Sequence, residues 1–177
     1  DLYKRLIYWE MELENIEDQS MVEILESQKV EANNQFGKFI EKNYEDWFDE
    51  NEHKPVLSHK LFGDLVAPEI RKKDKPILFI VIDNLRYDQW KAFESIVNNH
   101  YKLEKETSYY AMLPTATQYA RNAIFSGLTP LEMEKKFPQY WKNDTDEGGK
   151  NLYEGEFLTE QLKRLGLDIK QEYYKIT

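Results

Sequence analysis

Cysteine is absent from the 177 residues, which excludes a disulfide framework, a thiolate zinc site and a thiol nucleophile. Histidine is scarce, with three in the chain, so imidazole-rich metal or acid–base chemistry has few places to reside. No apolar run approaches the roughly 18 residues of a membrane span. The N-terminal DLYKRLIYWEMELENIED has neither the basic start nor the apolar centre of a signal peptide. The expectation is a cytoplasmic protein with no membrane partner, whose chain opens inside a larger structure. Bases are the minority, 24 against 33 acids, for a net charge of −9. That balance excludes a protein coating nucleic acid through bulk electrostatics but leaves room for a local basic groove. What is plentiful is apolar surface: 41% hydrophobic residues, 14% of the chain aromatic, enough to bury a core in one domain or two small ones.

The first 70 residues carry helical patterns. Leu2, Leu6, Trp9, Leu13 and Ile16 recur at spacings of four and three, one stripe of an amphipathic helix. Ser20 followed by Glu23 has the spacing of a capping box. It predicts a second, long helix whose apolar side continues through Ala32, Phe36, Phe39, Ile40, Tyr44 and Trp47. A third helix is predicted from Ser58, stopped by Pro68. Residues 1–70 thus read as a helical bundle linker domain.

Beyond the charged, proline-bounded APEIRKKDKP, which reads as a solvated link, the pattern becomes α/β. Residues 77–82, ILFIVI, form the continuous apolar run of a strand covered on both faces. A helix follows with Trp90, Phe93, Ile96 and Val97 spaced to pack. Residues 105–113 read as a second strand closed by Pro114, and TATQYARNAIFSG as a helix ending at Gly127 in the C-cap place. TPLEMEKKF suggests a short helix, and FLTEQLKRLG with LDIKQEYYKI a last helix and strand. The fold class expected for residues 76–177 is therefore an open, largely parallel α/β sheet.

Two junctions stand at carboxyl ends of these strands, where open sheets place their ligands. Asp83 ends the first. Its carboxylate suits a cation, although Asp and Asn also cap turns at such places. Arg86 reads equally as a surface residue, and Asp88 as an N-cap. At the second junction, MLPTATQYARN, Thr115 and Thr117 lie where free backbone N–H groups and the helix dipole favour an anion. A threonine there can cap the helix, bind a phosphate, or attack one. Asn122 is placed to aim a donor at the same anion if the helix begins near Thr117.

Together the two junctions resemble the alkaline phosphatase superfamily. IDNLRYDQW is similar to the D-G-L-R-Y-D signature of its PglZ branch. With a helical segment ahead, the chain resembles response regulators of two-component systems that carry a PglZ domain and serve type IX secretion. The resemblance covers nearly the whole chain and is most specific over residues 76–141. It implies an alkaline-phosphatase-like α/β domain, a phosphodiesterase with two zinc ions, and oligonucleotides as substrates. It also implies a receiver domain addressed by a sensor histidine kinase, and a homodimer. Carried over by position, Asp83 is a metal ligand and Thr117 the nucleophile, itself beside the metal. Thr115 is the nearest rival, and Asn122, Arg86 and Thr115 are phosphate contacts.

One departure matters. The superfamily completes its metal sites with further aspartates and histidines, including an Asp-His pair, and nothing after Thr129 supplies one. His53 and His59 fall in the bundle, His100 at a helix end, and Asp144 and Asp146 in the loop KNDTDEGGKNLYEGE. The expectation is the first part of a PglZ domain, with an incomplete zinc site. Two outputs stay open: phosphodiester hydrolysis, or a non-catalytic signalling domain that binds a nucleotide or a protein.

Overall fold

The computed structural model describes residues 2–13, 18–49, 54–72 and 75–176. Their helices run in the order α1 (Leu2–Leu13), α2 (Gln19–Asn43), α3 (Ser58–Leu61), α4 (Ala67–Lys72), α5 (Tyr87–Asn98), α6 (Thr117–Ser126), α7 (Pro130–Lys136) and α8 (Glu154–Arg164). A 3₁₀ turn at Glu45–Phe48 follows α2, and a π-helical turn at Phe62–Val66 joins α3 to α4. The residues group into two compact units. One holds Asp1–Lys54 with Asn84–Glu106, the other Pro55–Asp83 with Thr107–Thr177. This grouping differs from a division at residue 70, because the stretch with α5 clusters with α1 and α2, whereas α3 and α4 belong to the second unit.

In the first unit α1 packs on α2 and α5. Its inward residues are Leu6 and Ile7, while Leu2 and Trp9 of the expected stripe are exposed; Ile16 lies outside the described residues. The cap of α2 is Asp18 rather than Ser20. Its Oδ1 accepts from the backbone N–H groups of Ser20 at 3.0 Å and Met21 at 3.4 Å, and the Ser20 hydroxyl itself donates to the same oxygen, so it is a partner of the cap and not the cap. Likewise α5 starts one residue before Asp88, with Gln89 Oε1 accepting from Arg86 N at 3.0 Å.

A charged hub closes this unit. Glu106 accepts from Lys4 Nζ at 2.6 Å, Lys91 Nζ at 3.1 Å and the Tyr87 hydroxyl at 3.3 Å. Both ammonium groups lie 5.3 Å from the centre of the Tyr87 ring, within reach of its negative face. Hydrogen bonds from Lys4 and then Lys91 hold the Glu106 carboxyl at about 2.

The second unit is built around α6. Ala123 and Phe125 of this helix meet Met112, Met133 and Phe157 in the main core. A smaller cluster holds Phe62, Ala67 and Leu162, and Phe79 packs against both, with ring centres 5.4 Å from Phe62 and 6.2 Å from Phe125. Full burial of a side chain such as Phe157 contributes about 1.5–3 kcal/mol. As expected, α6 ends at Gly127, in the left-handed conformation at φ +64°. Its last carbonyls are then taken up by α8. Gln161 Nε2 donates to Ile124 O at 2.9 Å and Phe125 O at 2.7 Å, and Arg164 donates to Ser126 O. The following helix, α7, opens on a capping box of Thr129 and Glu132 with Pro130 as its first residue, an arrangement that suits the missing proline N–H.

Two expectations require correction. Pro68 does not stop a helix: it sits in the first turn of α4, and the π-helical turn before it gives the ring room. Nor does a parallel sheet form among the described residues. Residues 77–82 are extended but covered on one face only. Phe79 and Val81 pack on the core, while Leu78, Ile80 and Ile82 are 79%, 65% and 57% exposed. A ladder needs a second extended segment about 4.8 Å away, and the candidate, 105–113, pairs elsewhere. Tyr110 makes a single parallel bridge with Leu57, with Tyr110 N donating to Val56 O at 2.9 Å and Ser58 N to Tyr110 O at 3.2 Å. Residues 167–176, the last expected strand, also make no ladder.

Gly127→Ala should lower stability by about 2 kcal/mol in urea unfolding, because an L side chain resists positive φ and its Cβ collides with Gln161. Glu106 predicts a pH dependence. Its folded value lies below its usual 4.5, so its contribution is complete above that pH and is lost as pH falls towards about 2. The stability difference between the wild type and Glu106→Gln, followed by tryptophan fluorescence, should shrink across that window and stay constant above it.

Candidate functional site

Local backbone chemistry places the first acid. The extended run 77–82 delivers Asp83 into a turn whose next residue, Asn84, has φ +58°. Asn is among the few non-glycine residues that tolerate this region, and glycine holds the place in the D-G-L-R-Y-D signature. The turn conformation is thus the physical reason for that choice.

Thr117 is the first residue of α6, where backbone N–H groups lack helical partners. Its hydroxyl lies 3.5 Å from Asp83 Oδ2, to which it donates. Arg121, four residues on and hence on the same helical face, donates from Nη1 to that same oxygen at 2.8 Å. The guanidinium Nε donates in turn to Glu154 Oε1. Glu154 opens α8, is 2% exposed, and accepts from the Tyr173 hydroxyl at 2.6 Å. Burial first, and the Glu154 carboxylate second, push the Tyr173 hydroxyl up to about 12. A buried carboxylate is stable only with such partners.

The remaining expected site residues have settings of their own. Thr115 is exposed and precedes the helix by two residues. Asn122 is buried, and its amide is committed to a loop: Nδ2 donates to Lys150 O at 3.0 Å, and Oδ1 accepts from Asn151 at 3.0 Å. It therefore braces the residues beside Thr117, whose carbonyl also accepts from Asn151, rather than reaching out towards an anion. Arg86 belongs to the other unit and is held by Asp88 through two bonds, at 3.0 and 2.7 Å.

Asp144 accepts from the Tyr119 hydroxyl at 2.8 Å and from Gln118, which keeps its carboxyl below the usual range. Asp146 accepts from Asn143 N. His59 is buried and His100 exposed, whereas His53 lies outside the described residues. Among the described residues no three of His, Cys, Asp and Glu gather as metal ligands, and the cation beside Asp83 is a guanidinium. Asp83 and Thr117 are two donors, fewer than a two-zinc centre needs, and no further ligand joins them among the described residues. Sequence reasoning missed the role of Arg121, whose one signal was its spacing from Thr117, and missed Glu154 and Tyr173, which no local pattern marks.

Residues 61–175 match the BREX system PglZ alkaline phosphatase-like domain, and residues 1–48 match the PorX response regulator linker domain. No curated protein matches the sequence. The longer match covers well over half the chain, which belongs to the PglZ alkaline phosphatase-like family. The two matches in this order make it a PorX-like PglZ-domain protein, of the response-regulator type. No helix among the described residues is long and apolar enough to cross a membrane.

The turn at Asn84 yields a direct test. Asn84→Gly should leave stability in urea within about 0.5 kcal/mol of wild type, whereas Asn84→Val should lose about 1–2 kcal/mol.

Proposed function

We propose that the output of this PorX-type response regulator is hydrolysis of phosphodiesters, with Thr117 as nucleophile and oligonucleotides as the substrate class. The observation that carries the reading is the Thr117 hydroxyl at the first position of α6, 3.5 Å from the Asp83 carboxylate. In the reaction a bond forms between Thr117 Oγ1 and phosphorus as the bond to one ester oxygen breaks and the hydroxyl proton passes through Asp83 to that departing oxygen; the other ester group stays on the threonine-bound phosphoryl until water releases it as a monoester and restores the hydroxyl. Asp83 accepts the hydroxyl's hydrogen bond and orients its lone pair. The unpaired N–H groups of the first turn of α6 face charge developing on the phosphoryl oxygens.

Zinc is the cofactor proposed with this chemistry, two ions in a whole PglZ domain. Asp83 and Thr117 are the donors that this chain brings towards them, and the further ligands a centre needs are not among the described residues. The proposal extends to a receiver domain addressed by a sensor histidine kinase, a homodimer, a cytoplasmic location and service to type IX secretion. Thr115, exposed beside the α6 N-terminus, is the nearest candidate for a substrate contact. Arg86 serves only if it leaves Asp88.

A second reading, a PglZ-like cleft that binds a nucleotide or protein without turnover, is favoured by one observation: Asp83 is already ion-paired with Arg121. Hydrolysis of bis-p-nitrophenyl phosphate by the full-length protein with a whole PglZ domain, with zinc or with chelator, separates the two. Zinc-dependent turnover is expected, falling by about a thousandfold or more in Thr117→Val. Absent turnover, or turnover indifferent to Thr117, returns the binding-only reading.

A further inference from the structure

The proposed chemistry makes no use of Glu154, yet this carboxylate is among the most deeply buried groups of the molecule. Its partner Arg121 lies between two acids, Glu154 at Nε and Asp83 at Nη1. Two negative charges against one positive leave the trio at −1, so Arg121 is not poised to draw a phosphate. Its effect falls on Asp83. With Oδ2 receiving both Arg121 and the Thr117 hydroxyl, the carboxylate is fixed in rotation, and Oδ1 has no protein partner among the described residues. Docking of α8 on α6 does not require this tie. Gln161 and Arg164 already join the two helices at the C-terminal end of α6, through the carbonyls of Ile124, Phe125 and Ser126.

We propose that Glu154, steadied by Tyr173, is a positioning residue for the Asp83–Thr117 pair and acts on it through Arg121. The inference rests on the reading of Thr117 as nucleophile. Glu154→Gln keeps the side-chain volume and an oxygen for the Arg121 Nε–H but removes the charge that holds the guanidinium. Its kcat for bis-p-nitrophenyl phosphate should fall about tenfold, as it does when a group that holds a site residue in place is lost, with KM within about twofold. Tyr173→Phe should show a smaller loss of the same kind.

A second readout needs no turnover. The ¹³C signal of the Asp83 carboxyl and the Thr117 methyl signal, recorded without substrate, should shift in Glu154→Gln and stay in place in Gln161→Ala, which loosens the other tie between the helices. If the wild type does not turn over, the phosphodiesterase reading falls and the spectra alone decide the role of Glu154. Unchanged kcat, unchanged signals, or equal shifts in Gln161→Ala overturn the proposal. Should Glu154→Gln fail to fold, Tyr173→Phe, which leaves the ion pair in place, carries the same comparison.

Discussion

A carboxylate with 2% of its surface exposed keeps its charge only if a cation and hydrogen bonds travel with it, and in the second unit Glu154 imposes that demand on everything around it. Arg121 must be on α6 to meet it, and α8 must begin where the two can touch. Gln161 and Arg164 then fasten the far ends of the same helices. Because α8 holds α6 at its middle and at its C-terminal end, the first residue of α6, Thr117, is placed by packing away from the hydroxyl itself. The pair at the site is thus a consequence of how a buried acid is satisfied.

The sequence was informative where the cause of a structure is local. The bounds of α6, the glycine that ends it and the short helix from Pro130 follow from capping chemistry within a few residues. Asp83 and Thr117 were visible because each sits at a boundary that its own neighbours define. The misreadings came from longer range. Six apolar residues at 77–82 describe a segment able to be a strand, but a ladder depends on a partner that lies elsewhere in the chain, and Tyr110 pairs with Leu57 instead. Asp18 displaced Ser20 as a cap because two acceptors so close in sequence compete. Asn122 reads in sequence as a donor aimed at an anion, but the loop at Lys150 and Asn151, nearly thirty residues on, takes up its amide.

The family matches and the compact units divide the chain differently. The linker match ends at residue 48 and the PglZ match begins at 61, yet residues 84–106, inside the latter, cluster with the linker helices. Glu106 is one reason: Lys4 from α1 and Lys91 from α5 converge on it, and neither contact is visible in a local window. Part of the PglZ-matched segment is therefore stabilised by the segment that precedes it.

That interleaving bears on how such a protein can change over time. The chain passes between units after Lys54, after Asp83 and after Glu106, so neither unit can be transplanted by a single recombination event without leaving a piece behind. A response regulator whose linker and output share residues in this way is inherited as one block. Exchange with other outputs is then confined to boundaries upstream or downstream of both, and an engineer seeking to graft the PglZ segment onto a different input would have to carry α1 and α2 with it.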